Sequence, residues 1–323
     1  MMKDYNIVLV LGNGFDLDLG LRTKYTDFME SDYFQSYLDK DRVAERIDYS
    51  FSKEVNLFDY LSSRRELHNW IDIEMELANL ATRKMHSAVS GTELCKHASE
   101  LEERTFDALH EALCDYIGSI DYSNIEKDSK ALAVLKIIAK YRSAEILSFN
   151  YTDLNRLEPY VGFISSAIDN IHGRISDKSI ILGIQDEVEM DDSYCFMIKS
   201  FSPHYWSHKV RSKLLDADEI IFFGHSLGST DYHYFQDLFK RQSNAEVANP
   251  NLVLRIFTFD ENSRRNILIQ LRRMNENHTN MLYDLCDFRI YRTGVSEDDE
   301  KIYSYLEDLE ERLKRVYAVH YIP

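Results

Sequence analysis

The chain has 323 residues, 44% hydrophobic and 12% aromatic, which excludes a disordered protein and allows a large core in one elaborate domain or two. Lys and Arg total 38 against 55 Asp and Glu, and the resulting charge of −17 has the wrong sign for general binding to nucleic acid or anionic lipid. No apolar run approaches the ~20 residues that span a bilayer. Met1-Met2-Lys3-Asp4 leads straight toward a strand with no signal peptide, and Cys95, Cys114, Cys195 and Cys286 form no Cys-x-x-Cys pair, so we expect a cytoplasmic protein with reduced, buried thiols.

Ile7-Val8-Leu9-Val10-Leu11 reads as a strand buried on both faces. It runs into Gly12-Asn13-Gly14-Phe15-Asp16. Gly12 suits a tight turn. Gly14, without a Cβ, would let a ligand's phosphates approach the backbone, and the following helix would aim its free N–H groups at an anion. An ordinary βα turn would look the same, and Leu17 stands where the dinucleotide fingerprint has its third glycine. Leu17 to about Ser31 reads as partly helical, interrupted near Gly20. Asp32 to Tyr141 reads as almost wholly helical, with Leu101, Thr105, Phe106, Leu109 and Leu113 at helical spacing. Within it, Trp70, Ile73, Leu77 and Leu80 share one face. Glu74 projects about 40° from Trp70 into that apolar sector, whereas Asp72 and Glu76 fall outside it. A carboxylate so placed is paired, faces a cavity, or snorkels out at the sector's edge.

Strand signals return at Glu145–Tyr151, Asn170–His172, Ser179–Ile184, Glu219–Gly224, Leu252–Phe259 and Phe288–Tyr291. Helices are expected at Pro203–Asp216, Asp231–Arg241, Glu261–Met274 and Ser296–Tyr317. Strands alternating with helices imply an α/β fold, a doubly wound, Rossmann-like parallel sheet, with residues 1–31 and 142–323 forming a nucleotide-binding domain around a helical insertion, 32–141. In such sheets ligands bind beyond the carboxyl ends of the strands. Those ends carry Gly12-Asn13-Gly14, Asn150-Tyr151-Thr152-Asp153, His172-Gly173 and Gly224-His225-Ser226, four polar or glycine caps on apolar strands that would converge on one crevice.

These blocks carry a resemblance. Gly12-Asn13-Gly14-Phe15-Asp16 with Gly20-Leu21-Arg22-Thr23-Lys24-Tyr25-Thr26-Asp27-Phe28 is similar to the opening of the bacterial abortive-infection AbiH family. Trp70-Ile71-Asp72-Ile73-Glu74 resembles that family's Trp-x-Asp-x-Glu stretch. Phe149-Asn150-Tyr151-Thr152, Ile171-His172-Gly173 and Phe223-Gly224-His225-Ser226-Leu227-Gly228-x-x-Asp231 resemble its later blocks, in the same order. Arg22 stands where many members carry proline. More remotely, the same blocks resemble the sirtuin-like NAD-binding fold. That resemblance implies NAD as substrate or ligand, with the Gly12–Asp16 loop on the pyrophosphate and Gly224, His225 and Ser226 on the adenosine half. It also implies that Asn150 orders the attacking water and that His172 is the general base. Asp72, Glu74 and Asp231 are candidate accessory residues. Thr152 replaces the sirtuin aspartate and the four-cysteine zinc module is absent. Water-driven cleavage of the nicotinamide–ribose bond is therefore expected instead of lysine deacylation, and no metal is expected.

Two further readings compete. A non-enzymatic nucleotide sensor would use the same strand ends. Gly224-His225-Ser226-Leu227-Gly228 also fits the Gly-x-Ser-x-Gly elbow of serine hydrolases, with Asp260 and His278 downstream, although no oxyanion loop accompanies it. The partners expected are a nucleotide and a phage-derived trigger, with no membrane and no general nucleic-acid binding. The sequence is compatible with a homo-oligomer.

Overall fold

A computed structural model describes residues 5–38, 56–64, 70–85, 93–141 and 144–321. The side chains of Asp72 and Cys95, and residues 1–4, lie outside the described residues.

Six strands form one sheet: β1 (Ile7–Leu11), β2 (Ala144–Ser148), β3 (Ala167–Asn170), β4 (Glu219–Phe223), β5 (Val253–Thr258) and β6 (Asp287–Arg292). Their order is β3-β2-β1-β4-β5-β6, every pair parallel. All residues of β1 and β4 are buried, as their unbroken apolar runs require. Alternate residues serve opposite layers. Val8, Val10, Ile220, Phe222, Leu254 and Ile256 pack with Val210 and Leu214, Phe235 and Phe239, and Ile267 and Leu271, from the helices Val210–Asp216, Tyr232–Gln242 and Glu261–Met274. On the other face Phe15 meets Phe223 edge-on, and Phe257 packs against Tyr291 and Tyr305. There Glu219, fully buried, accepts from Tyr305 Oη at 2.7 Å and Arg312 at 2.9 Å, anchoring the long terminal helix Asp299–Tyr321. The sheet is doubly wound.

The chain winds outward from β1 to β3, then returns to place β4 on the other side of β1. The direction of winding reverses there, between β1 and β4, which is the edge where ligands of such sheets lie. Leu11 is level with both Ser148 and Phe223, so three loops begin at one height.

By its contacts the chain divides into two units. The first comprises residues 1–21, 121–171 and 207–323, the second 22–120 and 172–206. The boundary drawn from the sequence, 32–141, differs from this at both ends. The Lys130–Ile138 helix groups with the sheet, and a stretch beyond β3 groups with the helices. In the second unit Phe28, Phe34, Phe58, Tyr37 and Tyr116 form a chain of stacked and edge-on rings.

Two local readings are corrected. Ser179–Ile184 is not a sheet strand; it makes a single bridge, Ile184 to Ile198. Ile180, Ile181, Leu182 and Ile184 are buried within the second unit, and a buried apolar run has the same pattern whether or not it pairs. The helix expected from Pro203 starts only at Val210, because Lys209 has φ +54°, a left-handed conformation that helices do not pass through. The first helix begins at Asn13 and ends at Asp18, and the next runs from Tyr25 to Met29. Cys114 and Cys286 are buried and unpaired, whereas Cys195 is half-buried. Among the described residues no helix is long and apolar enough to cross a membrane.

Candidate functional site

The β1 and β4 loops meet backbone to backbone. Gly12 N donates to Phe223 O at 3.0 Å and Gly14 N to Gly224 O at 2.9 Å. A Cβ on Gly14 would lie 2.6 Å from Gly224 Cα, and one on Gly12 would lie 2.8 Å from Gly224 O and 2.9 Å from His225 Cβ. Gly224 itself has φ +64° and faces Gly14 and Phe15 N. The glycines are therefore required by the contact of two protein loops. The amides of Gly14 and Phe15 are also engaged, the latter with Gly12 O at 2.8 Å. Phe15 is fully buried against Phe223, and the half-buried Asn13 makes no side-chain hydrogen bond to a described residue.

The β2 loop joins this contact from the other side. Asn150 Nδ2 donates to Gly12 O at 3.1 Å, and Thr152 Oγ1 donates to Asp16 Oδ2 at 2.9 Å. Asn150, Thr152 and Asp16 are all buried. Burial pushes the Asp16 carboxyl up to about 7, against the opposing pull of hydrogen bonds from Thr152 and Asn150. Tyr122 closes the cluster. Its hydroxyl is held well above the ordinary tyrosine range by burial and by the nearby Asp16 charge, and the Arg156 guanidinium lies 4.1 Å over its ring. Beyond Tyr122 opens a groove of ≈ 730 Å³ lined by Arg156, Asn155, Glu158 and the exposed Phe163. The structure thus brings together Gly12, Gly14, Asp16, Asn150 and Gly224, and adds two residues that the sequence reading did not place in the site. Thr152 stands in the strand-end cap Asn150–Asp153 but is given no role there, and Tyr122 carries no signal, because it reaches Asp16 across more than a hundred residues of chain.

His225 turns inward. Its Nδ1 accepts from Leu227 N at 3.0 Å, so in the neutral ring the proton sits on Nε2, which faces Asp231 Oδ2 at 3.5 Å. The ring packs edge-on against Phe149 and Phe235. Leu227 has φ +51°, a conformation this bond helps to hold. His225 and Asp231 therefore brace the β4 loop from inside, while Ser226 is exposed and its Oγ accepts from Gly228 N at 3.3 Å. The serine-hydrolase partners are elsewhere. Asp260 caps the Glu261–Met274 helix, accepting from Ser263 N at 2.8 Å, which lowers its carboxyl pKa. His278 follows that 14-residue helix, about 21 Å of helix beyond Asp260, and its Nδ1 lies 3.2 Å from Asn275 O.

In the second unit Glu74 and Lys199 form a buried ion pair, Oε1 to Nζ 2.6 Å, which accounts for the carboxylate on the apolar helix face. His172 is buried there, and its carbonyl accepts from Ile181 N at 2.8 Å. Among the described residues no three His, Cys, Asp or Glu side chains are grouped as a metal ion would require.

Compared with known families, the chain matches the model described as Bacteriophage abortive infection AbiH over residues 8–249, about three quarters of its length. No curated protein matches it.

Proposed function

The chain belongs to the bacteriophage abortive infection AbiH family, and from that premise we propose that it is an antiphage protein that binds NAD or a related nucleotide at the carboxyl edge of its sheet and hydrolyses the nicotinamide–ribose bond. The observation that carries the nucleotide reading is the strand order 3-2-1-4-5-6, with the Gly12 and Gly224 loops on either side of the point where the order reverses. That order is the dinucleotide-binding one, and the reversal is where its ligands lie. In the reaction, nicotinamide leaves with the bonding electron pair, water adds to the oxocarbenium-like sugar carbon, and a base takes the water's proton. With its Nδ2 held by Gly12 O, Asn150 would orient that water through Oδ1. The general-base role of His172 is what the remote resemblance to the sirtuin-like fold implies.

Incubation of the pure protein with NAD, followed by chromatography, tests the reading. Nicotinamide and ADP-ribose are the expected products, and His172→Ala should slow their release by about 10²–10⁴-fold without loss of NAD affinity. Binding without products, with phage lysate added as trigger, would replace the enzyme by a nucleotide sensor. Absence of binding by calorimetry would overturn the nucleotide reading. A serine hydrolase draws no support from the positions of Asp260 and His278.

A further inference from the structure

Asp16 lies on the turn of helix after Gly12, 2% exposed, and faces the β2 loop. Thr152 Oγ1 donates to its carboxyl at 2.9 Å, and Asn150, on the same loop as Thr152, holds Gly12 O at 3.1 Å. Tyr122 lies near enough for the Asp16 charge to raise its hydroxyl pKa. Asp153 and Arg156 face Tyr122, and Asp18, on the same helix as Asp16, is turned to Ala131 N and Lys130. Among the described residues no cation pairs with Asp16. A carboxylate buried with neutral donors alone is unfavourable as an anion, and a pyrophosphate nearby would make it more so.

We propose that Asp16 is a positioning residue that works as a neutral carboxylic acid, tying the Gly12 loop to Thr152, and that it takes up a proton when an anionic nucleotide binds at this edge. The second part rests on the nucleotide reading above; the first does not. With its carboxyl near 7, the free protein holds acid and carboxylate together at neutral pH. A nucleotide that completes the protonation takes up a fraction of a proton at pH 7.

Two measurements test this. The first is thermal unfolding of the nucleotide-free protein between about pH 4 and pH 8. The folded pKa lies above the unfolded value of 3.8, so the stabilising contribution is full below 3.8 and is lost as pH rises through about 7. Asp16→Asn should remove that decline. Thr152→Val removes a donor that favours the carboxylate, so its decline should extend to higher pH, a readout independent of whether Asp16→Asn folds. The second is calorimetry of NAD binding at pH 7 in buffers of different ionisation enthalpy. Wild type should report proton uptake, Asp16→Asn should not, and Thr152→Val should move the pH of greatest uptake upward. Stability profiles that superimpose for wild type and both variants overturn the neutral-acid role. Buffer-independent heats from wild type that does bind NAD overturn the proton coupling. Distinct stability profiles without any NAD binding refute the nucleotide reading and leave the neutral-acid role supported.

Discussion

A Cβ on Gly14 would stand 2.6 Å from Gly224 Cα and 2.9 Å from Gly224 O, backbone atoms that cannot yield without moving a strand end. Gly14→Ala should therefore cost stability, about 1–3 kcal/mol as for other overpacked sites, measured by urea unfolding. A stability equal to wild type would mean that the two loops separate easily. Gly118 is the control. A Cβ there meets only Ile175 side-chain carbons at 3.6 and 3.8 Å, and the residue is helical, so Gly118→Ala should stabilise by up to about 1 kcal/mol. Ser226 is exposed with its hydroxyl on Gly228 N, and among the described residues no histidine hydrogen-bonds it. A fluorophosphonate probe should leave it unlabelled, since no base activates it. Labelling that disappears in Ser226→Ala would restore the hydrolase reading.

At the scale of elements, charged pairs carry the joints. Glu74, on the Trp70–Met85 helix, meets Lys199, which follows the short turn Asp192–Met197, with both side chains buried. Lys199→Met should destabilise by about 3–5 kcal/mol because it strands a buried carboxylate, and adding Glu74→Leu should recover most of the loss. A double variant no more stable than the single one would show that the cost is packing and not charge. At the other end of the chain Asp298 accepts from Arg292 Nε at 2.8 Å and Arg292 N at 3.1 Å, joining β6 to the terminal helix. These bonds hold its carboxyl at about 2, below the unfolded value of 3.8. Its contribution is therefore present above 3.8 and lost as pH falls through about 2. Asp298→Asn should melt earlier than wild type at pH 6, and the two should converge near pH 2.

Over the whole molecule the charge of −17 opposes any anion at long range. Raising ionic strength from about 20 to 150 mM shortens the Debye length to about 8 Å, so NAD binding should strengthen or stay level with added salt. A nucleic-acid binder behaves in the opposite way, losing affinity steeply as counterion release becomes less favourable. Titrations with NAD and with duplex DNA at both salt concentrations separate the two. Affinity for NAD that falls with salt would point to a strong local basic patch that overrides the net charge.

The sequence alone determined the strands whose apolar runs are unbroken. Ile7–Leu11 is legible to the residue and Glu219–Phe223 to within one, and the Glu261–Met274 helix at both ends. Burial on both faces and capping are local properties, written in contiguous residues. The family was legible too, because its blocks keep their residues and their order. The helical angle singled out Glu74 as a carboxylate on an apolar face, but left open whether it pairs, faces a cavity or snorkels out; the structure pairs it with Lys199. Tertiary structure decided what a one-dimensional pattern does not contain. It left Ser179–Ile184 outside the sheet, since burial alone does not specify pairing. It gave Gly12 and Gly14 to the β4 loop, turned His225 into the core, and brought Tyr122 and Thr152 to Asp16. Each of these depends on which strand lies next to β1, a long-range choice made by the packing of the whole sheet, and that choice determines which side chains share the crevice.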